Sequence, residues 1–306
     1  MDKAPNVGKV NELLLRLSVM VMVPNSLGPG ELLLHYGTDK QKEYYLPKLA
    51  NGREVPAFAL TSPWAGSDAA SIPDVGIICK KKFKGKESIG INVTWEKRYI
   101  TLAPICSVLG LAFHAFDPDG LLGKEKDLGI TCALIPAKHR GVEIGNRHMP
   151  LSVKWPNGPT SGKNVFIPLD FVIGGETGIG QGWKMLMECL AAGRAVCLPA
   201  TANASCKVAT YGVWNYARHR RQFNIPLIKM EGIQRKLSDM VFHTWLIQCS
   251  VKLTNALLDA GEKPAVISAI MKEQTTERAR EVLNHGMDIH AGSAICLGEN
   301  NFLEKF

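Results

Sequence analysis

The chain has 306 residues, of which 46% are apolar, and it carries a formal charge of +8. That length and apolar share exclude a disordered tail and leave room for two compact units with a sizeable core. The positive charge suits anionic partners such as nucleotide or coenzyme A phosphates, although charge alone does not separate these from nucleic acid or an acidic membrane surface. In chain order, Leu13–Val23 reads as a core helix. It contains Arg16 and ends at Pro24, short of the roughly 20 residues a membrane span needs. No charged-then-apolar leader pattern opens the chain, so a cytoplasmic location is expected, with a peripheral position at the inner membrane left open. Pro24–Gly30 predicts a break, followed by helices over Glu31–Tyr36 and Asp39–Leu49, the second capped by Thr38 or Asp39.

From about residue 55 the texture changes to short segments rich in β-branched and aromatic residues. These are Val55–Leu60, Val75–Lys80, Gly90–Trp95, Arg98–Leu102, Gly129–Ile135, Val142–Gly145 and Asn164–Ile167. They predict a small barrel or sandwich. After Gly182 a helical period returns over Trp183–Ala192, Val208–Arg221, Met230–Ala260 and Lys263–His290. The expected fold class is therefore α+β, in the order helices, β domain, helices: a partial helical domain over 1–55, a β domain over 56–180 and a helical domain over 181–306. Eight cysteines are scattered through apolar segments without a C-x-x-C pair. This excludes a zinc knuckle or dithiol motif and predicts buried thiols in a reducing compartment.

Several motifs fail on spacing. Gly158-Pro-Thr-Ser-Gly-Lys163 has one residue too few for a phosphate loop and has Asn164 where a magnesium-binding hydroxyl belongs, so it reads as a β-turn. Gly178-Ile-Gly-Gln-Gly182 departs from the dinucleotide fingerprint and lacks the surrounding βαβ alternation. His285 and His290 are off the helical spacing for two ligands on one face. Lys80, Lys81, Lys82, Lys84 and Lys86 read as a solvated hairpin turn. Arg218-His-Arg-Arg-Gln-Phe223 ends a helix, where its guanidinium groups either offset the helix dipole or bind a pyrophosphate.

The most informative stretch is Phe58-Ala-Leu-Thr-Ser-Pro-Trp-Ala-Gly-Ser-Asp68, an apolar strand closed by a loop of hydroxyls, Gly and an acid. Pro63 fixes a backbone angle, Gly66 permits close approach, and Thr61, Ser62 and Ser67 supply short donors and acceptors. The loop resembles the flavin-binding signature of the acyl-CoA dehydrogenases. Other segments extend the resemblance along nearly the whole chain: Asn25–Gly37, Thr94-Trp-Glu-Lys-Arg-Tyr-Ile-Thr-Leu-Ala-Pro104, Gly180–Leu190, Arg220-Arg-Gln-Phe223 and Met287-Asp-Ile-His290. Within that family the chain is most similar to the bacterial long-chain branch of the FadE type.

The resemblance implies an FAD-dependent dehydrogenase that forms the α,β double bond of a long-chain fatty acyl-CoA in β-oxidation. It implies a homo-oligomer that passes electrons to an electron-transfer flavoprotein or another acceptor. By the same resemblance, Phe58, Leu60 and Thr61 line the flavin ring, Tyr99 stands where many members stack a Trp, and Thr101 reaches the N5 region. Arg220, Gln222 and Phe223 match residues that reach the FAD of a neighbouring subunit, and Gly292 matches a glycine at the FAD phosphates. Ser67 matches a residue that touches flavin or the coenzyme A arm of the substrate, and Arg194 matches an arginine near the acyl chain and the catalytic base. The reaction needs a carboxylate base. The family places it about 25 residues past the match to Gly292, the length of an ordinary helix and loop, or just before the match to Arg194, where this chain has Gly193. No catalytic base is therefore assigned, and the chain is expected to be shortened at both ends. A homologue that binds FAD, acyl-CoA or a partner subunit without turnover is the alternative.

Overall fold

The computed structural model describes residues 24–123, 125–149, 156–192, 196–262, 265–296, 301 and 303. The chain forms two compact units, Met1–Leu190 and Ala191–Phe306. The predicted helix Leu13–Val23 lies outside the described residues. In the first unit, helix α1 spans Pro24–Tyr36 and α2 spans Asp39–Ala50. The break expected at Pro24–Gly30 is instead the first half of α1. Pro29 lies inside it, packed over Gly110, and the burial of Leu32 and Leu33 sustains the helix through it. Helix α2 starts with a capping box: Thr38 Oγ1 accepts from the Gln41 N–H at 3.3 Å and Gln41 Oε1 accepts from the Thr38 N–H at 3.0 Å.

A curled sheet follows, built from β1 (Pro56–Ala59), β2 (Val75–Phe83), β3 (Lys86–Thr101), β4 (Val108–Phe116), β5 (Asp127–Pro136), β6 (Glu143–Ile144) and β7 (Asn157–Pro168). Its order is β1-β4-β2-β3-β7-β6, with β5 also paired to β4. The sequence gives no alternating signal for β4, because Leu109, Gly110, Leu111, Ala112 and Phe113 are all buried and the strand has no solvent face. β5 runs along the whole of β4 on one edge, so β1, beside Val108–Leu111, and β2, beside His114–Phe116, follow one another along the other. The loop 60–74 thus leaves the sheet and returns to the same edge, and this detour positions the site.

Two further expectations change. Gly90–Trp95 and Arg98–Leu102 belong to one continuous β3, whose intervening Glu96 and Lys97 pair with Ser161 and Thr160. The segment Gly158–Lys163 is ladder in β7 rather than a turn. A Cβ at Gly162 would come within 2.3 Å of the Trp95 ring, so the glycine makes room for the indole. The lysine-rich segment does form the β2–β3 hairpin, turning at Lys84 and Gly85. One core of this unit lies inside the sheet, around Ile78, Ile91, Trp95, Leu111 and Phe113. A second joins Leu32, Leu33, Phe58, Ala65 and Ile72 to Met185 and Leu186 of α3 (Gly182–Ala192).

The second unit packs α4 (Leu198–His219), α5 (Glu231–Asp259) and α6 (Ala265–His290) around Val213, Leu237, Met240, Ile247 and Val282. Between α4 and α5 lies a small hairpin of β8 (Arg221–Gln222) and β9 (Ile225–Pro226), and α7 (Gly292–Ile295) follows α6. The expectation of buried thiols holds for Cys132, Cys189 and Cys206, whereas Cys79, Cys106 and Cys197 are half-buried and Cys249 and Cys296 are exposed. Among the described residues no helix is long and apolar enough to cross a membrane, and no group of His, Cys, Asp and Glu could hold a metal ion.

Candidate functional site

The loop 60–74 is fastened by three consecutive residues of β3. The Glu96 N–H donates to Asp74 Oδ1 at 2.9 Å, Lys97 Nζ donates to the Leu60 carbonyl at 2.7 Å and to Asp74 Oδ2 at 2.5 Å, and the Arg98 N–H donates to the Thr61 carbonyl at 3.1 Å. Arg98 Nη2 adds a bond to the Pro63 carbonyl at 3.0 Å. Inside the loop, buried Ser62 Oγ accepts from the Ala65 N–H at 3.0 Å and the Trp64 N–H at 3.3 Å, an internal turn of the kind short hydroxyl side chains favour. Burial pulls the Lys97 ammonium below its ordinary pKa, and the Asp74 carboxylate pulls it back up in part.

The expected site residues fall into three groups. Phe58 has its ring buried in the core beside Gly110, two residues before Leu60 where the loop begins. Leu60 and Thr61 are half-buried, while Ser67 and Trp64, the latter 84% exposed, lie on the open side with Gly66, beside which an added Cβ would meet nothing. Across from them, Tyr99 and Thr101 share the outer side of β3, with buried Ile100 between them facing the core.

Tyr99 has φ 61° and Leu102 φ 65°, both in the left-handed region that costs a non-glycine residue about 1 kcal/mol or more. The Tyr99 N–H donates to His148 Nε2 at 3.2 Å, its carbonyl accepts from Asn157 Nδ2 at 3.0 Å, and its ring lies 5.1 Å from that of His148. These contacts hold an exposed flat ring in an otherwise unfavourable backbone. Tyr99 thus presents an exposed aromatic ring one residue after Arg98, whose N–H binds the Thr61 carbonyl, and two residues before Thr101. Nearby, the Tyr36 hydroxyl donates to the Glu188 carboxylate of α3, and this bond first, then burial, pushes the phenol up to about 12.

In the second unit, Arg220 and Gln222 are exposed and Phe223 is 89% exposed. The hairpin is held by Arg221 Nη2, which donates to the Asn224 carbonyl at 2.8 Å, and Phe223 and Asn224 both have positive φ. Gly292 opens α7 with free space around it, and Ala291 before it sits at φ 52°, ψ −129°, a conformation suited to glycine. Arg194 and Gly193 lie outside the described residues. Sequence reasoning missed Asp74, Lys97 and Arg98 as parts of the site. The available signal was parity: Lys97 falls on the inward side of β3 two residues after Trp95, a place that only a paired charge can occupy.

Comparison with known proteins adds the following. The model of the C-terminal domain of acyl-CoA dehydrogenases matches residues 180–306, and that of the N-terminal domain matches residues 9–53. A 3-(aryl)acrylate reductase of Clostridium sporogenes is 30% identical over 88% of this chain and 67% of its own length. The protein HemX of Proteus mirabilis is 56% identical over 93 residues, 30% of this chain and 55% of HemX. The chain therefore spans little more than half to two thirds of these relatives. The crystal structure of an acyl-CoA dehydrogenase from Geobacillus kaustophilus superposes with a TM-score of 0.80 at 22% identity, covering 97% of this chain and 75% of that one, which establishes the shared fold.

Proposed function

Because this chain belongs to the acyl-CoA dehydrogenase family, we propose that it is an FAD-dependent oxidoreductase acting on the α,β carbon pair of an acyl-CoA, with a long-chain acyl group and double-bond formation as the physiological direction. The observation that supports this reading is the fastening of loop 60–74 to β3, which ties the Leu60 and Thr61 carbonyls to Lys97 and Arg98, the residues just before Tyr99. When bound there, FAD supplies a hydride acceptor for the β-hydrogen. Tyr99 offers a flat face for the ring, Thr61 and Thr101 orient it through their hydroxyls, and the Leu60–Thr61 peptide addresses its polar edge. Ser67 and Arg194 are proposed to contact substrate. Arg220, Gln222, Phe223 and Gly292 are proposed to reach FAD held by a neighbouring copy, with an electron-transfer flavoprotein or another acceptor taking the electrons.

Gly193 favours a second reading, a flavin-binding homologue without efficient turnover, since it offers no carboxylate at one of the two base positions that the resemblance implies. Loss of a general base alone costs about 10²- to 10⁴-fold in rate. The absorbance of the purified protein between about 350 and 500 nm, followed by anaerobic mixing with palmitoyl-CoA, tests both readings. A flavin spectrum that bleaches on mixing supports the dehydrogenase, and one that persists supports the homologue without turnover. A colourless protein that takes up no added FAD contradicts both.

A further inference from the structure

Lys97 and Asp74 form an ion pair whose side chains are 0% and 1% exposed. Such a pair is a poor device for stability, because desolvation of two charges consumes most of their attraction, and well-packed apolar residues of similar size serve as well or better. What an apolar pair cannot do is hold two backbone points by directional bonds. Lys97 Nζ bonds to the carbonyl of Leu60, where the chain leaves the sheet, and to the carboxylate of Asp74, where it returns. Asp74 is in turn held by the Glu96 N–H, and its own carbonyl accepts from the His114 N–H at 2.8 Å. One ammonium therefore closes the base of the loop 60–74. Its bond to the Leu60 carbonyl also polarises the Leu60–Thr61 peptide, which makes the N–H end of that peptide a stronger donor.

We propose that Lys97 is a positioning residue of the flavin site: through Leu60 and Asp74 it fixes the width of the loop and the orientation and polarity of the Leu60–Thr61 peptide against the edge of the flavin. This rests on the flavin reading above and adds a residue that touches neither flavin nor substrate.

The test uses the 306-residue chain and the double variant Lys97→Met, Asp74→Asn. It removes both charges together and keeps an acceptor for the Glu96 N–H. The double variant is expected to unfold cooperatively like the parent, to bind FAD about tenfold or more weakly, to shift the visible spectrum and reduction potential of the bound flavin, and to exchange the amides of residues 60–68 faster. Equal FAD affinity with an unchanged spectrum and potential would overturn the proposal and leave Lys97 a structural ion pair. Failure of the parent to bind FAD would instead sink the flavin reading, and this inference with it. Should the double variant not fold, Lys97→Gln combined with Asp74→Asn, a neutral hydrogen-bonding pair that strands no charge, replaces it with a loss in the same direction, and unchanged FAD affinity there counts equally against the proposal.

Discussion

Loop 60–74 is held by a buried ammonium and by backbone bonds from Glu96 and Arg98, whereas the Arg221–Pro226 hairpin rests on a two-residue ladder and presents Phe223 at 89% exposure. Both are proposed to reach FAD. The first is preorganised within its own unit, so the free energy of its arrangement is supplied by folding. The second has Phe223 and Asn224 at positive φ and is held by its own short ladder and the Arg221–Asn224 bond, with the Phe223 ring left exposed. Damage to the loop should therefore register in FAD affinity and, where a buried charge is stranded, in stability as well, whereas damage to the hairpin should register in ligand retention alone.

The largest effect is expected for Lys97→Ala, which strands the buried Asp74 carboxylate and should lower unfolding free energy by about 3–5 kcal/mol in urea titrations. Next, Arg220→Ala should leave the urea midpoint unchanged yet weaken FAD retention by about 1.5–3 kcal/mol, the value of a hydrogen bond to a charged group. Equilibrium dialysis checks this, and equal flavin occupancy in the two proteins would remove the hairpin from the site. Smaller again, Ala291→Gly relieves a side chain held at φ 52° and should raise the melting temperature by the equivalent of about 1 kcal/mol.

The smallest effect concerns His290, buried and stacked 3.8 Å from the ring of Tyr216, whose pKa burial lowers from 6.5. The unfolded chain then binds the proton more readily than the folded one. The stability linked to His290 is complete above about pH 6.5 and is lost as pH falls towards the lowered value. Thermal melts of His290→Gln should show a flatter acid limb than the parent.

The same contrast explains what the sequence disclosed. Loop 60–74 was legible because its residues are unusual together: Pro63, Gly66, Ser67 and Asp68 directly after an apolar strand. β4 was not, because a strand buried on both faces loses the period of two that marks strands, and its Leu, Ala and Gly content carries little β propensity. Lys97 was hidden for a related reason: a charge beside Glu96 and Arg98 looks like a solvated break until Asp74 and Leu60 are seen to fold over it. The Pro24–Gly30 helix was misread because its tertiary burial overrides local propensity. The positive φ of Ala291 is a property of the fold that no local pattern announces.

The most direct test of the account is amide hydrogen exchange of the full chain with and without saturating FAD. If loop 60–74 and the end of β3 form the flavin site, residues 60–68 and 99–102 gain protection together, while the lysine-rich tip at 80–86 does not change. FAD binding that leaves 60–68 and 99–102 unprotected, or that protects only residues elsewhere, would contradict it.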